Sequence, residues 1–413
     1  MVEPGWDVRY PDRMGRLGTR RGLAGTLIFV GWLAACGKVE PVDVDGGAAG
    51  TDASSSQADA STTQADASWG QADAAPCQGW TQALYFDPCA LPAPGGDLVL
   101  SNGPFTLDTD SGVLVDATGA SVSIATAVVL SGSTAIRAVS ADSITIDSGA
   151  SLRIKGSMPV LFASWSTIDV AGTIDVGSNL GDPGAGANSS ACAGHQAQAG
   201  VANGSRGDGG GGGAFAAVGG SGAVSGSGGT AVSLPTMLRG GCGGGDGADG
   251  DGAANNHGLG APGGGAVELA AVDQISIEGT IVANGGGGSS GGINHGGAGG
   301  GGSGGMLAVA ATTVAIANSA VLVANGGGGG GGGGGGSPGN AGQSGLLSTA
   351  NAAGGVGPTG NGGNGGALNP EEGGASSGGG GGGGGSSGYV VVFATDLSLD
   401  TAVAVISPAN VSP

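Results

Sequence analysis

From Leu98 onward the chain repeats one small pattern: two apolar residues flank a single polar or small one, and a few Gly, Ser, Asp or Asn positions follow. The pairs run Phe105/Leu107, Val113/Val115, Val122/Ile124, Val128/Leu130, Ile136/Ala138, Ile144/Ile146, Leu152/Ile154, Val160/Phe162, Ile168/Val170 and Ile174/Val176, about eight residues apart. Period-two alternation of β-branched residues, punctuated by turn formers, predicts very short strands with one buried face. Three such strands make a rung of roughly 24 residues, so that Ile136 stacks on Val160 and Ile144 on Ile168. Each rung covers the open edge of the last. The fold class this predicts is all-β, a right-handed parallel β-helix occupying residues 97–413.

The three-strand unit returns as Val267/Leu269, Ile275/Ile277 and Ile281/Ala283, then as Leu307/Val309, Val314/Ile316 and Val321/Val323, and last as Val390/Val392, Leu397/Leu399 and Val403/Val405. Glycine tracts at about 177–264, 285–305 and 326–388 separate these units, each following a third strand. Ala283-Asn284-Gly285 and Ala324-Asn325-Gly326 open two of them, with Asn and Gly suited to positive φ. Insertions at one corner of a solenoid stack on one side, which predicts a glycine-rich flange along a single edge and places a working face there. Ordering such tracts is a close balance. Fixing a residue's backbone costs roughly 1–2 kcal/mol, and a net hydrogen bond returns about 0.5–1.5 kcal/mol. Gly326 to Gly336 and Gly378 to Gly385 have no side chains, so extended strands of polyproline-II type can pack closely with threefold symmetry. A polyglycine-II-like flange and a set of flexible loops both stay open.

Composition narrows the architecture. The 413 residues include 101 glycines, about a quarter against a usual share of roughly 7%. Aromatics are 3% and charged residues 10%, too few large side chains for one wide core but enough for a narrow core repeated along an axis.

The N-terminus reads as an address. Arg16, Arg20 and Arg21 precede an apolar run from Leu23 to Ala35, shorter than the roughly 20 residues of a membrane span, which ends Leu33-Ala34-Ala35-Cys36. That ending resembles the lipobox of bacterial lipoproteins. The resemblance implies removal of residues 1–35 as a signal peptide, lipidation of Cys36 as the new N-terminus, and a lipid-anchored place in a bacterial envelope, at an outer membrane or cell surface. A cleaved secretory signal with an incidental Cys is the plainer alternative. Glu3, Asp7 and Asp12 suit a basic leader badly, and a start at Met14 gives a cleaner one. Without the first 35 residues, which hold five arginines and three acids, the 31 acidic and 11 basic side chains fall to 28 and 6, a formal charge of −22. Such a surface repels nucleic acid, since phosphate binding needs clustered Lys or Arg.

Residues 36–76 are mostly Ala, Asp, Ser, Thr, Gln and Gly, with Gln-Ala-Asp-Ala starting at Gln57, Gln64 and Gln71. They have little to bury and predict a solvated tether. Residues 77–96 form a cap: Cys77 and Cys89 bracket an aromatic cluster, which in an oxidising compartment suggests a local disulfide, leaving Cys192 and Cys242 as the second pair.

Chemistry is sparse. A polysaccharide-active enzyme needs carboxylates with a basic residue in one groove, for which Asp147, Asp169, Asp175 and Arg153 are the candidates. The histidines, His195, His257 and His295, all fall in glycine tracts, and no Ser-His-Asp order or phosphate loop is recognisable. Gly244 to Gly252, with Asp246, Asp249 and Asp251, resembles a single Gly-Gly-x-Gly-x-Asp repeat of calcium-loaded β-rolls, which implies a calcium site on a turn. Arg206-Gly207-Asp208 spells an integrin-type tripeptide. The tracts, most clearly Gly360-Asn361-Gly362-Gly363-Asn364-Gly365-Gly366, resemble those of PGRS-type surface proteins in composition and imply a surface location. The function expected is a non-catalytic structural or adhesive surface lipoprotein that contacts polysaccharide or other cells, with no cofactor beyond calcium. The alternative is a polysaccharide lyase or hydrolase.

Overall fold

Most of the short apolar pairs fall on strands that pair in parallel with strands distant in the chain. The computed structural model describes residue 77 and residues 79–411, apart from 367–368, 375–377 and 400–403. Cys36, the leader and the tether lie outside the described residues. The described residues belong to a unit running from Ser68 to Pro413, all-β with two short 3-10 turns, Pro88–Ala90 and Ser190–Cys192. Among them no helix is long and apolar enough to cross a membrane.

Two curled sheets, of ten and eight strands, make up the body. The ten-stranded one curls because its longest strands, Met306–Ile316 and Tyr389–Leu399, bend and serve two sets of neighbours. Met306 to Ala310 pair with Ala266 to Ala270, and Thr313 to Ile316 pair with Gln274 to Ile277. Three stacks result, each with an aliphatic ladder on its inner side. Val139, Phe162, Leu269, Val309 and Val392 are successive partners in the first. Leu100, Ile146, Val170, Ile277 and Ile316 form the second. Phe105, Leu152, Ile174, Ile281, Leu322 and Ile406 form the third. The three ladders meet in one core. Each fully buried Val, Leu or Ile contributes roughly 1.5–3 kcal/mol, so stacked aliphatics hold this core with few aromatics, Phe105 and Phe162 being the two in the ladders.

Ile144 partners Ile168, as its spacing predicts. Ile136 does not stack on Val160: Arg137 does, and Ile136 turns to the outer side. The reason is that Thr134–Ala141 is covered on both faces, so polar-apolar alternation no longer fixes its phase. The outer side packs under Tyr85 and Phe86 of the cap and under Phe215 and Leu238 of the first glycine insertion.

The first 40 residues of the body also depart from a uniform parallel stack. Gly103–Asp108, Val113–Val115 and Ser121–Val122 pair antiparallel, and Ala125–Ser131 pairs antiparallel with Thr134–Ala141 around Gly132 at φ +58. In these hairpins Leu107, Leu114, Val129 and Ile136 are among the buried residues, while Val113, Val128 and Leu130 are exposed. Hairpins folded onto the first rung cover part of an edge that parallel pairing would leave open.

The three insertions leave from the ends of Thr173–Asp175, Thr280–Val282 and Val321–Val323, which are neighbours in one sheet. They return into Ala266–Ala271, Met306–Ile316 and Tyr389–Leu399, neighbours in the other. They therefore emerge side by side, as their positions after third strands predict. Asn284 and Asn325 do not take positive φ there. They form an amide ladder: Asn284 Oδ1 accepts from the Asn325 N–H at 2.7 Å, and Ser407 Oγ donates to Asn325 Oδ1 at 2.7 Å.

Candidate functional site

The largest feature outside the strand stacks is the block made by the glycine insertions. Its centre is residues 296–305, and its bonding repeats every third residue. The N–H groups of Gly297, Gly300 and Ser303 donate to Ala248, Gly245 and Cys242; those of Ala298, Gly301 and Gly304 donate to Gly380, Gly383 and Ser386; those of Gly299, Gly302 and Gly305 donate to Ser289, Gly286 and Ala283. The carbonyls, with that of His295 just before them, reach three further segments in the same way, accepting from Gly207, Gly210 and Gly213, from Gly258, Ala261 and Gly264, and from Gly327, Gly330 and Gly333. One segment is thus bonded to six neighbours. A three-residue period with no hydrogen bonds along the segment itself is the geometry of an extended helix with three residues per turn. At four successive positions only glycine fits: a Cβ on Gly299, Gly300, Gly301 or Gly302 would overlap a backbone carbonyl of Leu259, Gly211, Gly327 or Pro262, while Ala298 and Ser303 on either side are accommodated.

Side chains appear at the rims of this block. Val201, Val224, Leu259, Ile293, Leu347 and Val356 are exposed there. Cys192 and Cys242 are bridged with Cα atoms 5.6 Å apart, tying two parts of the first insertion, and Cys77 and Cys89 are bridged at 4.9 Å, as their grouping suggests. Arg239 packs on the first of these bridges. Its guanidinium donates to the Ala191 carbonyl at 2.8 Å and to both sulfurs at 3.2 and 3.3 Å, and sits 5.1 Å from the Phe215 ring centroid. Burial lowers its affinity for the proton.

The aspartates of the calcium-like turn serve different partners. Asp249 accepts from the Asn256 N–H at 2.7 Å and meets His257 Nδ1 at 2.7 Å, and the His257 contact is the main reason its carboxyl lies below the usual range. Asp251 meets His295 Nδ1 at 2.5 Å, and Asp246 accepts from the Gly260 N–H at 2.7 Å. Among the described residues no group of three or more His, Cys, Asp or Glu side chains is placed to hold a metal ion. His295 Nε2 also accepts from the Gly335 N–H at 3.1 Å, so two of the three histidines pin turns of the block. Asp208 of the Arg206-Gly207-Asp208 tripeptide is 3% exposed and lies inside the block, 3.8 Å from Arg206.

The carboxylates proposed for a catalytic groove are not gathered together. Asp169 lies on the ten-stranded sheet and Asp175 on the eight-stranded one. Arg153 is taken by Asp175 at 3.4 Å and Asp182 at 3.0 Å, and Asp147 accepts from Ser101. A different groove runs beside the first insertion. One end, of about 490 Å³, is lined by Asp108, Asp110, Lys155 and Asp182. It continues through Ser157 and Asn188 into a section of about 550 Å³ with Ser133, Thr134, Met158 and Ser190. It ends in about 330 Å³ lined by Val232, Leu234, Met237 and Arg239.

The residue that sequence reading passed over is Glu268. In the row Ala138, Leu161, Glu268, Ala308 and Val391 it is the one polar member, placed where a half-buried strand turns its solvent side. The disulfide cap covers that side. Glu268 is 0% exposed, neither carboxyl oxygen has a hydrogen-bond partner, and burial pushes its acid up to about 8. The backbone amides of Tyr85 and Leu84 point toward it and pull the other way, without reaching normal hydrogen-bond geometry. Tyr85, facing it, is pushed up to about 12 by burial and by the nearby Glu268. The only signal in the sequence is a Glu between Val267 and Leu269, which reads as an exposed position.

No protein-family model, curated protein or solved structure matches the chain.

Proposed function

We propose that this chain is a surface-exposed structural or adhesive lipoprotein of a bacterial envelope, without catalytic activity, in which Cys36 bears the lipid and the glycine block is the contact face. In this reading the curled sheets are the three faces of a right-handed parallel β-helix, the hand that parallel crossovers take almost without exception. The glycine segments are a polyglycine-II bundle. The observation that carries the proposal is the six-neighboured segment 296–305: three insertions from adjacent turns are knitted through their backbones into one stiff body, whose exposed large apolar side chains lie at its rims. A body of that kind displays a surface and offers little chemistry. The exposed valines and leucines at the rims supply apolar contact, and the serine-, threonine- and asparagine-lined groove supplies the hydrogen-bonding groups that a neutral or amino-bearing polysaccharide needs.

Two measurements test the proposal. Mass spectrometry of the chain expressed in a bacterium gives a diacylglycerol adduct on Cys36, lost in Cys36→Ser. The unlipidated Cys36→Ser chain binds whole cells or purified polysaccharide in a broad panel; inert behaviour across that panel rejects adhesion. Release of reducing or unsaturated ends from the same polysaccharides decides instead for the lyase or hydrolase alternative. That alternative has less support, because Asp169 and Asp175 lie on different sheets and Arg153 is already ion-paired.

A further inference from the structure

The contact between the Cys77–Cys89 cap and the outer face of the first stack gathers several unpaired buried polar atoms in one place. Elsewhere among the described residues they occur one to a residue, at Thr109, Ser189, Asp208, Asn256 and Ser387. Here Trp80 Nε1, Gln82 Oε1, Tyr85 Oη and both Glu268 oxygens are buried with no hydrogen-bond partner. An unpaired buried polar group costs roughly 1–3 kcal/mol, and natural interiors hold few of them. Several at one interface mark a contact that is not optimised to stay closed. The cap is otherwise well made. Trp80 packs edge-on against Phe86 at 5.4 Å and Trp165 at 5.5 Å, Gln82 Nε2 donates to Thr395 Oγ1 at 2.9 Å, and the disulfide makes the segment one piece.

We propose that the cap is a latch governed by the proton on Glu268: it closes over the neutral acid and lifts off as a unit when that proton leaves, uncovering the apolar outer row of the first stack. The surroundings leave Glu268 no counter-charge. From the cap, Tyr85 faces it, while Asp87 turns to the Cys89 N–H. On Thr134–Ala141, Arg137 turns away to the Thr109 and Asp110 carbonyls. On Tyr389–Leu399, Tyr389 donates to the Val232 carbonyl, and from the insertion Arg239 is committed to Ala191 and the second disulfide. Leu161 and Ala308, its partners on either side, are apolar. An ionised carboxylate at this position is buried and unpaired, which costs several kcal/mol, whereas lifting the cap returns it to water.

The sign follows from linkage. The closed form holds the proton up to about 8 and the open form releases it near 4.5, so closure is strongest below 4.5 and weakens as pH rises through that window. One proton separates the two forms, so the opening equilibrium rises about tenfold per pH unit between these values and levels off above them. Hydrogen exchange on the full chain reads this even when the open form is rare. After division by the intrinsic exchange rate, protection of the Leu84 and Tyr85 amides falls about tenfold per pH unit in the wild type, while protection across Ile144–Ile146 stays constant. In Glu268→Gln the cap amides show no such slope. Glu268→Leu, which continues the row begun by Leu161, keeps the cap closed at every pH and serves if the Gln variant fails to fold. A flat wild-type profile, the same slope in the variants, or a parallel loss of protection at Ile144–Ile146 overturns the latch.

Discussion

At the scale of single residues the glycine block makes a position-specific demand that composition alone conceals. Gly300 and Gly335 are both members of glycine runs, yet their surroundings are opposite. A methyl group on Gly300 would run into the Gly211 carbonyl and the Gly212 amide, whereas on Gly335 it meets only the His295 ring at 3.5 Å, an ordinary contact. Neither has positive φ. Gly300→Ala is therefore expected to lower stability by about 1–3 kcal/mol through overpacking, as urea or thermal denaturation measures. Gly335→Ala is expected to be neutral or to raise stability by about 0.4–1 kcal/mol, because alanine restricts the unfolded chain. Equal losses at the two sites would mean that the close packing around residues 296–305 is absent in solution.

At the scale of elements, the asparagine ladder shows why the insertions begin where they do. Asn325 is 1% exposed; its N–H reaches Asn284 Oδ1, its Nδ2 donates to the Leu346 and Ser348 carbonyls at 2.8 Å, and its Oδ1 accepts from Ser407. Truncation in Asn325→Ala strands Ser407 Oγ and the part-buried Ser348 carbonyl, while the Leu346 carbonyl keeps Asn284 Nδ2, for a loss of about 1–3 kcal/mol in chemical denaturation. Asn284→Ala, whose Nδ2 donates to the Gly345 and Leu346 carbonyls, weakens the same corner. The repeated Ala-Asn-Gly was visible in the sequence, and its place at the seam was read correctly from spacing. Its mechanism was not, because a preference for positive φ is a property of isolated turns and this corner is stacked on identical corners. The same contrast holds for the strands. Ile144 and Ile168 were legible because their strands have one buried and one open face. Ile136 and Val128 were misread, and Glu268 was passed over, because a strand covered on both sides, or one at an antiparallel edge, loses the alternation that fixes its phase. Nothing local announces a cap that folds back from residues 77–91 onto a strand nearly two hundred residues later.

Across the whole molecule, the two disulfides protect different things. Cys192 and Cys242 are 5% and 1% exposed, while Cys89 lies at the surface. Under native conditions dithiothreitol is expected to open Cys77–Cys89 first and to leave Cys192–Cys242 intact until the block unfolds, as mass mapping of alkylated cysteines shows. Closing loops of 12 and 50 residues is worth about 3 and about 4 kcal/mol respectively in the chain-entropy account, so the buried bridge is also the more stabilising. If the buried pair is reduced first, the insertion is open in the native state and the bridge is not part of a closed body.

The architecture also separates into a scaffold that stacks and a block that depends on one segment. The corner between Lys155 and Val160 is made by only four residues, Gly156, Ser157, Met158 and Pro159, so a third strand can pass to the next first strand without an insertion. Replacing residues 284–304 with that four-residue link removes the segment bonded to six neighbours but keeps the ladders through Ile281 and Leu307. The β-sheet circular dichroism and the exchange protection of Ile144–Ile146 and Gln274–Ile277 are then expected to persist. The amides of Gly207, Gly210, Gly213, Gly258, Ala261, Gly264, Gly327, Gly330 and Gly333 lose their central acceptors and become exchangeable, the carbonyls of 242–248 and 380–386 lose their central donors, and these segments open to proteases. Ordering glycine costs more backbone entropy than ordering any other residue, and the hydrogen bonds that offset it here are shared between insertions. Removing the middle one should therefore melt the other two together, whereas a bundle whose outer segments stayed protected would owe its order to the rims and bridges and not to its core.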